Sequence, residues 1–310
     1  MTTPSVPGAD PAAALLSDPL LVKPPSTSPP LPESLRRKRL RLLFKSGTFL
    51  TGLGLVGIWV ICAIFGDWIA PYDPAGSAAD ILNKNMPPSA EHWLGTDQLG
   101  RDVLSRIIAG ARSILLIAPA ATLLGTILGT GLGLITGYFR GVVDDVLSRV
   151  IDAFLSIPLV ITGLIALTAL GPSTIGVIVV IGLVFTPVIS RTVRAAVLAE
   201  RELEYVAAAR LRRERSPHIM FFEILPNVMG PILVEFTVRL GYAIFTIATL
   251  SFLGFGVEPS SPDWGLTIFQ HYALLNGGIW WPVLFPATAI ASLVVGVNLL
   301  SDGIAGVFEH

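Results

Sequence analysis

The chain has 310 residues, of which 52% are hydrophobic and 14% charged, with a formal net charge of -1 and a mean hydropathy of +0.71. An ordinary soluble domain carries roughly 25% charged residues, so this composition excludes a water-soluble fold and makes lipid the solvent of the apolar excess. The near-neutral charge argues against a nucleic-acid partner, and the lone Cys62, inside an apolar run, excludes an intrachain disulfide.

Residues 1–46 read as a disordered, Pro-rich and basic leader. Nine of the 24 prolines fall in the first 34 residues, which contain little that could pack. A signal peptide would open on a basic stretch and end at a cleavage site. Here the basic cluster Arg36, Arg37, Lys38, Arg39, Arg41 and Lys45 lies deep in the chain against the first apolar run, so the leader is expected to stay attached and cytoplasmic.

From residue 47 to 310 the sequence predicts an all-α integral membrane domain. A span needs about 20 mostly apolar residues, and candidates lie near 48–70, 113–137, 150–170, 175–193, 228–253 and 281–305. The boundary between the third and fourth is weakest, because Gly171-Pro172-Ser173-Thr174 barely interrupts the apolar run; one re-entrant segment there would leave five spans. Basic residues collect on cytoplasmic loops. Six spans with both termini inside put 16 of the 21 Lys and Arg on inner segments and four on outer ones, with Arg239 inside a span. That asymmetry supports six spans and a multi-pass protein of the cytoplasmic membrane.

Two loops are too long to be simple connectors. In the outer one, 71–112, Leu99, Val103, Leu104, Ile107 and Ile108 have helical spacing, which predicts an amphipathic helix along the interface before the second span. The inner one, 194–227, holds Glu204, Tyr205, Val206, Ala207, Ala208, Ala209 and Arg210, then charged residues to Arg215, then Ser216 and Pro217, and it closes on Ile224-Leu225-Pro226-Asn227. Consecutive alanines make a smooth helix that another surface can approach closely. Rimmed by charge, this suits a docking knob for a cytoplasmic partner; the plainer reading is a loop that merely satisfies the charge rule.

That inner loop resembles the cytoplasmic signature of ABC importer permeases of the dipeptide/oligopeptide (peptide/nickel) family. Two further stretches match the same family: Leu94 to Arg106, with Gly95-Thr96-Asp97 and Gly100-Arg101-Asp102, and Leu250 to Val257 followed by Pro262-Asp263-Trp264-Gly265. The outer-loop signature is that of the second of the two permease subunits. The resemblance implies a type I importer permease fold with no cofactor. It also implies a second homologous permease, cytoplasmic ATP-binding subunits and an extracytoplasmic peptide-binding protein as partners, with 194–227 as the ATPase-coupling loop. Ala207 stands where the family has Glu and Arg213 where it has Gly. Without that Gly, the turn between two short helices is expected from Ser216 as N-cap with Pro217 at the first helical position.

None of the four lysines follows a glycine, so no phosphate-cradling P-loop is present. The chain is expected to be a non-catalytic subunit moving di- or oligopeptides, with nickel, glutathione or another small solute as alternative cargo and an ion-coupled secondary transporter or a scaffold as other classes. An ionisable residue within a span is functional by default. Glu235 and Arg239 are therefore candidate pathway or interhelix residues, against the simpler reading of a self-neutralising i,i+4 pair; Asp302 reads as a helix-end contact. His92, His218, His271 and His310 lack metal-site spacing. Trp264, Tyr272, Trp280 and Trp281 read as an aromatic belt, and Gly125, Gly129 and Gly133 as a close helix-packing face.

Overall fold

The computed structural model describes residues 43–74, 83–171, 173–255, 258 and 260–308. All but the last four residues of the expected leader lie outside this range. In chain order the helices are α1 (Gly47–Ile69), α2 (Val103–Tyr138), α3 (Val142–Leu155), α4 (Leu159–Leu170), α5 (Thr174–Glu200), α6 (Glu204–Leu211), α7 (Met229–Phe252), α8 (Trp264–His271) and α9 (Trp281–Phe308). Among the described residues there is no strand, only an isolated antiparallel bridge between Thr96 and Asp102. Helices α1, α2, α5, α7 and α9 are each long and apolar enough to cross a bilayer.

The third expected span, 150–170, is not a single helix. It is broken at Ser156-Ile157-Pro158 between α3 and α4, whose axes are bent by 85°. Pro158 has no N–H to donate and disfavours helical geometry in the residue before it. With 12 residues, α4 rises about 18 Å, too short for a hydrocarbon core of about 30 Å. Only the bent pair taken together makes a sixth crossing. Helix α3 is amphipathic: Val142, Val146, Val150 and Phe154 form an exposed stripe. On its polar side Asp144 and Asp152 pair with Arg194 and Arg191 of α5.

The outer amphipathic stretch is likewise not a separate interfacial helix. Asp102 caps α2 by accepting from the Ser105 N–H at 2.8 Å, and the 36-residue helix then runs unbroken through the second span. Val103, Ile107 and Ile108 are buried, because protein rather than a membrane surface covers them. A Cβ at Gly110 would stand 2.4 Å from the Pro262 carbonyl and 2.5 Å from the Trp264 ring.

The core is a seam between α2 and α5. A Cβ built on Gly129, Gly133 or Gly137 would lie 2.7, 2.6 and 2.7 Å from the Cβ of Ile189, Val193 and Val197 respectively. Glycine at every fourth residue lets the two backbones approach to where a β-branched side chain fills the remaining space. The packing role expected of Gly129 and Gly133 is realised and continues to Gly137. Helix α1 is peripheral, with only Gly52 and Gly66 buried. It lies on α9, where the Trp59 indole donates to Ser292 Oγ at 2.9 Å.

Candidate functional site

Between α5 and α7 the chain makes two short helical segments folded against each other. The first, α6, ends in a Schellman turn: the Arg213 N–H donates to the Arg210 carbonyl at 2.9 Å and the Glu214 N–H to that of Ala209 at 3.2 Å. Arg213 occupies the left-handed region at φ 58°, a conformation that favours glycine. The residue at the family's Gly position therefore keeps the glycine backbone and makes the turn itself. This corrects the expected break: Ser216 is not the N-cap but the first residue of the helical turn Ser216–His218, entered from Arg215 without a side-chain cap. The second segment continues as a π-helical turn over Ile219–Ile224 and closes with Leu225–Asn227.

A polar knot ties both segments to the bundle. Tyr205 on α6 donates its hydroxyl to Glu200 Oε1 at 2.8 Å, and Asn227 donates Nδ2 to Tyr205 Oη at 3.2 Å and to the Glu223 carbonyl at 2.8 Å. Burial and the Glu200 carboxylate push the Tyr205 phenol up to about 12. Tyr138, at the end of α2, takes the guanidinium groups of Arg201 and Arg210 over its ring at 6.0 and 5.4 Å, and the Arg201 side chain also donates to its carbonyl.

Beneath this knot Val206, Ala209, Ile219, Ile224 and Val228 are buried in the same core as the spans, and Met220 is buried as well. Of the alanine run, Ala209 is fully buried, Ala208 half-buried and Ala207 exposed, so the run is part core and part surface. In the second segment Met220 is buried beside Ile219 and Ile224, whereas Phe222 is 70% exposed. The free face thus carries Ala207, Ala208 and Arg210 with Leu211 at 85% exposure, next to Phe221 and Phe222. Glu204, Arg213, Pro217 and Pro226 are also exposed, while Ser216 and Leu225 are half-buried.

Within α7, Arg239 Nε donates to Glu235 Oε1 at 2.6 Å, and the guanidinium lies over the Tyr242 ring at 5.2 Å. The side chains are 20% and 11% exposed. Each charge is answered on its own helix, one turn away.

At the opposite end of the bundle the two other family motifs meet in one buried network. Asp97 accepts from the N–H groups of Leu99 and Arg101 at 2.8 and 2.9 Å and pairs with Arg101 Nε at 2.7 Å. Asp102 takes His92 Nδ1 at 3.0 Å and the Ser105 hydroxyl at 2.8 Å. Arg106, almost fully buried, reaches the carbonyls of Pro74 and Ser261 at 3.2 and 3.0 Å. Trp264 donates its indole N–H to the Ile107 carbonyl and Trp281 to that of Thr96, each at 2.9 Å. These two are therefore pins within the protein rather than belt residues, leaving Trp280 and Tyr272 exposed. Sequence reasoning missed this junction; its only trace was that both motifs belong to one family pattern.

A family model described as the binding-protein-dependent transport system inner membrane component matches residues 129–310. The chain belongs to that family. A second model, for the N-terminal transmembrane domain of oligopeptide transport permease C, matches residues 34–88. Among curated relatives of this family member, the Escherichia coli K12 dipeptide transport system permease protein DppC is 39% identical, covering 82% of this chain and 86% of the relative. The Pseudomonas aeruginosa di/tripeptide transport system permease protein DppC is 36% identical over 82% and 85%. The dipeptide permease DppC of Alkalihalophilus pseudofirmus is 35% identical over 92% and 94%. The chain is thus a multi-pass membrane component of a transport system, and the first family match contains the whole segment from Tyr205 to Asn227.

Proposed function

We propose that this chain is the permease subunit of an ATP-driven importer of di- or oligopeptides, with both termini in the cytoplasm. In this reading it pairs with a second permease, receives cargo from an extracytoplasmic binding protein and docks cytoplasmic ATPases on the loop expected over 194–227, of which residues 194–200 are the end of α5. The observation that carries the docking role is the loop's two-sided construction. Its buried face and the Tyr205–Glu200–Asn227 knot bind it to α5 and α7, while its free face exposes the small and apolar Ala207 and Leu211. A loop so fastened moves as a rigid body, so closure of the ATPases would tilt α5 and α7 together and alternate the cavity's access. The permease does no chemistry of its own: it lacks a nucleotide-binding lysine, and the Glu235–Arg239 pair is self-neutralised rather than poised to carry an ion. The relatives' names support peptide as the cargo.

The test is Ala208→Trp in the assembled transporter. It enlarges a half-buried surface position rather than the core, so the permease should fold and stay in the membrane while ATPase association, or coupling of hydrolysis to uptake, is lost. Normal uptake and normal ATPase association would remove the loop from the docking role.

A further inference from the structure

The π-helical turn in the loop has a chemical consequence. In an α-helix residues five apart point about 140° apart, but a turn closed by i→i+5 bonds stacks them. His218 and Glu223, at the two ends of the turn, are brought onto one side. Glu214 arrives there from the Schellman turn, held by its backbone bond to Ala209. One ligand atom from each of Glu214, His218 and Glu223 lies within 4.8 Å of the other two. Glu214 Oε2 is buried with no hydrogen bond and faces His218 Nε2 at 3.7 Å.

We propose that Glu214, His218 and Glu223 form a binding site for a zinc-class divalent metal ion that clamps the two segments of the loop together. One imidazole nitrogen and two carboxylates suit zinc, which holds such ligands at about 2.0–2.2 Å in a tetrahedron, so its ligand atoms stand about 3.4 Å apart. The His218–Glu214 separation is close to that already, and the widest gap closes by rotation of the Glu223 side chain. A fourth position is left for water. Arg212 now answers both carboxylates, at 2.7 Å from Glu214 Oε1 and 3.6 Å from Glu223 Oε1. It uses the other oxygen of Glu214, and its side chain is 56% exposed, so it can swing into water as the ion enters. The His218 ring is stacked on Phe222 at 4.9 Å, which orients Nε2 toward the carboxylates.

The experiment is zinc binding to the purified full-length chain in detergent, stripped with chelator, equilibrated with zinc alone and read by elemental mass spectrometry. One equivalent of zinc should be retained by the unsubstituted chain and lost by His218→Ala and by Glu223→Gln. The Glu223 substitution leaves intact the backbone carbonyl that holds Asn227. Both variants should elute as the unsubstituted chain does on size exclusion. Retention of the same zinc by either variant, or no specific zinc in the unsubstituted chain, overturns the site. The measurement does not involve the ATPase, so it stands or falls separately from the docking role.

Discussion

Arg213 shows how a substituted motif residue can keep the motif's geometry. A non-glycine residue in the left-handed region costs about 1–2 kcal/mol, and here Arg213 bears it to preserve the Schellman turn. Arg213→Gly should therefore raise the thermal unfolding midpoint in detergent, by the equivalent of about 1 kcal/mol after the added freedom of the unfolded chain is deducted. Arg213→Val, branched at Cβ, should lower it; a Val variant as stable as the parent would contradict the strained backbone. His271 makes a second case. It donates Nδ1–H to the Thr267 carbonyl at 2.7 Å, leaving Nε2 without a hydrogen bond at 3.7 Å from Asp97 Oδ2. Burial holds its imidazole below the ordinary 6.5. Below that pH the unfolded chain takes up a proton that the folded chain refuses, so stability is complete above 6.5 and falls with acidity. His271→Asn should flatten this acid limb of the unfolding midpoint against pH, and an unchanged limb would place the titration elsewhere.

At the scale of elements, the α2–α5 seam offers a matched comparison. Gly133→Ala puts a methyl 2.6 Å from Val193 Cβ, whereas a Cβ on Gly131 meets nothing within 4 Å. The first should destabilise by about 1–3 kcal/mol through overpacking, and the second should be neutral or gain up to about 1 kcal/mol of helix propensity. Equal midpoints for the two variants would refute the close approach. The seam was legible because small residues repeating at four positions leave a mark in the sequence. The bend between α3 and α4 was not, because apolar character persists through Leu155, Ile157 and Leu159, and hydropathy records burial in lipid rather than direction. Pro158 was the available signal. The free outer helix was misread for a related reason: Val103, Ile107 and Ile108 have the same spacing whether lipid or Trp264 covers them. The loop between α5 and α7 was singled out by its motif, but the sequence could not assign the turn to Arg213, since a left-handed arginine has no local signature.

For the whole molecule, the two motif clusters lie at opposite ends of the bundle: the Tyr205 knot at one, the Asp97–Arg101 and Trp264 junction at the other. Under the proposed topology, with both termini inside, the second cluster would face the proposed binding protein. Single cysteines at Ser89 and Gly277, in a Cys62-free background, should then react with an impermeant reagent on intact cells. One at Leu211 should react only after the membrane is breached. Labelling of Leu211 on intact cells would invert the proposed topology.

The peripheral position of α1 bears on how the chain is made. From its start to its middle α1 has partners far along the chain: Gly52 lies against Gly296 and Leu300, Trp59 reaches Ser292, and Phe49 meets Gly303. During translation α1 precedes all of these partners, and the contacts of Phe49 and Gly52 form only when the last helix leaves the ribosome. Until then Gly52 faces lipid or the insertion machinery, and Trp59, which also packs edge-on against Trp264 of α8 with ring centroids 4.8 Å apart, lacks its hydrogen bond to Ser292. A nascent chain stalled before α9 would carry an unclosed first helix, an exposed feature by which membrane proteases could tell an unfinished subunit from a finished one.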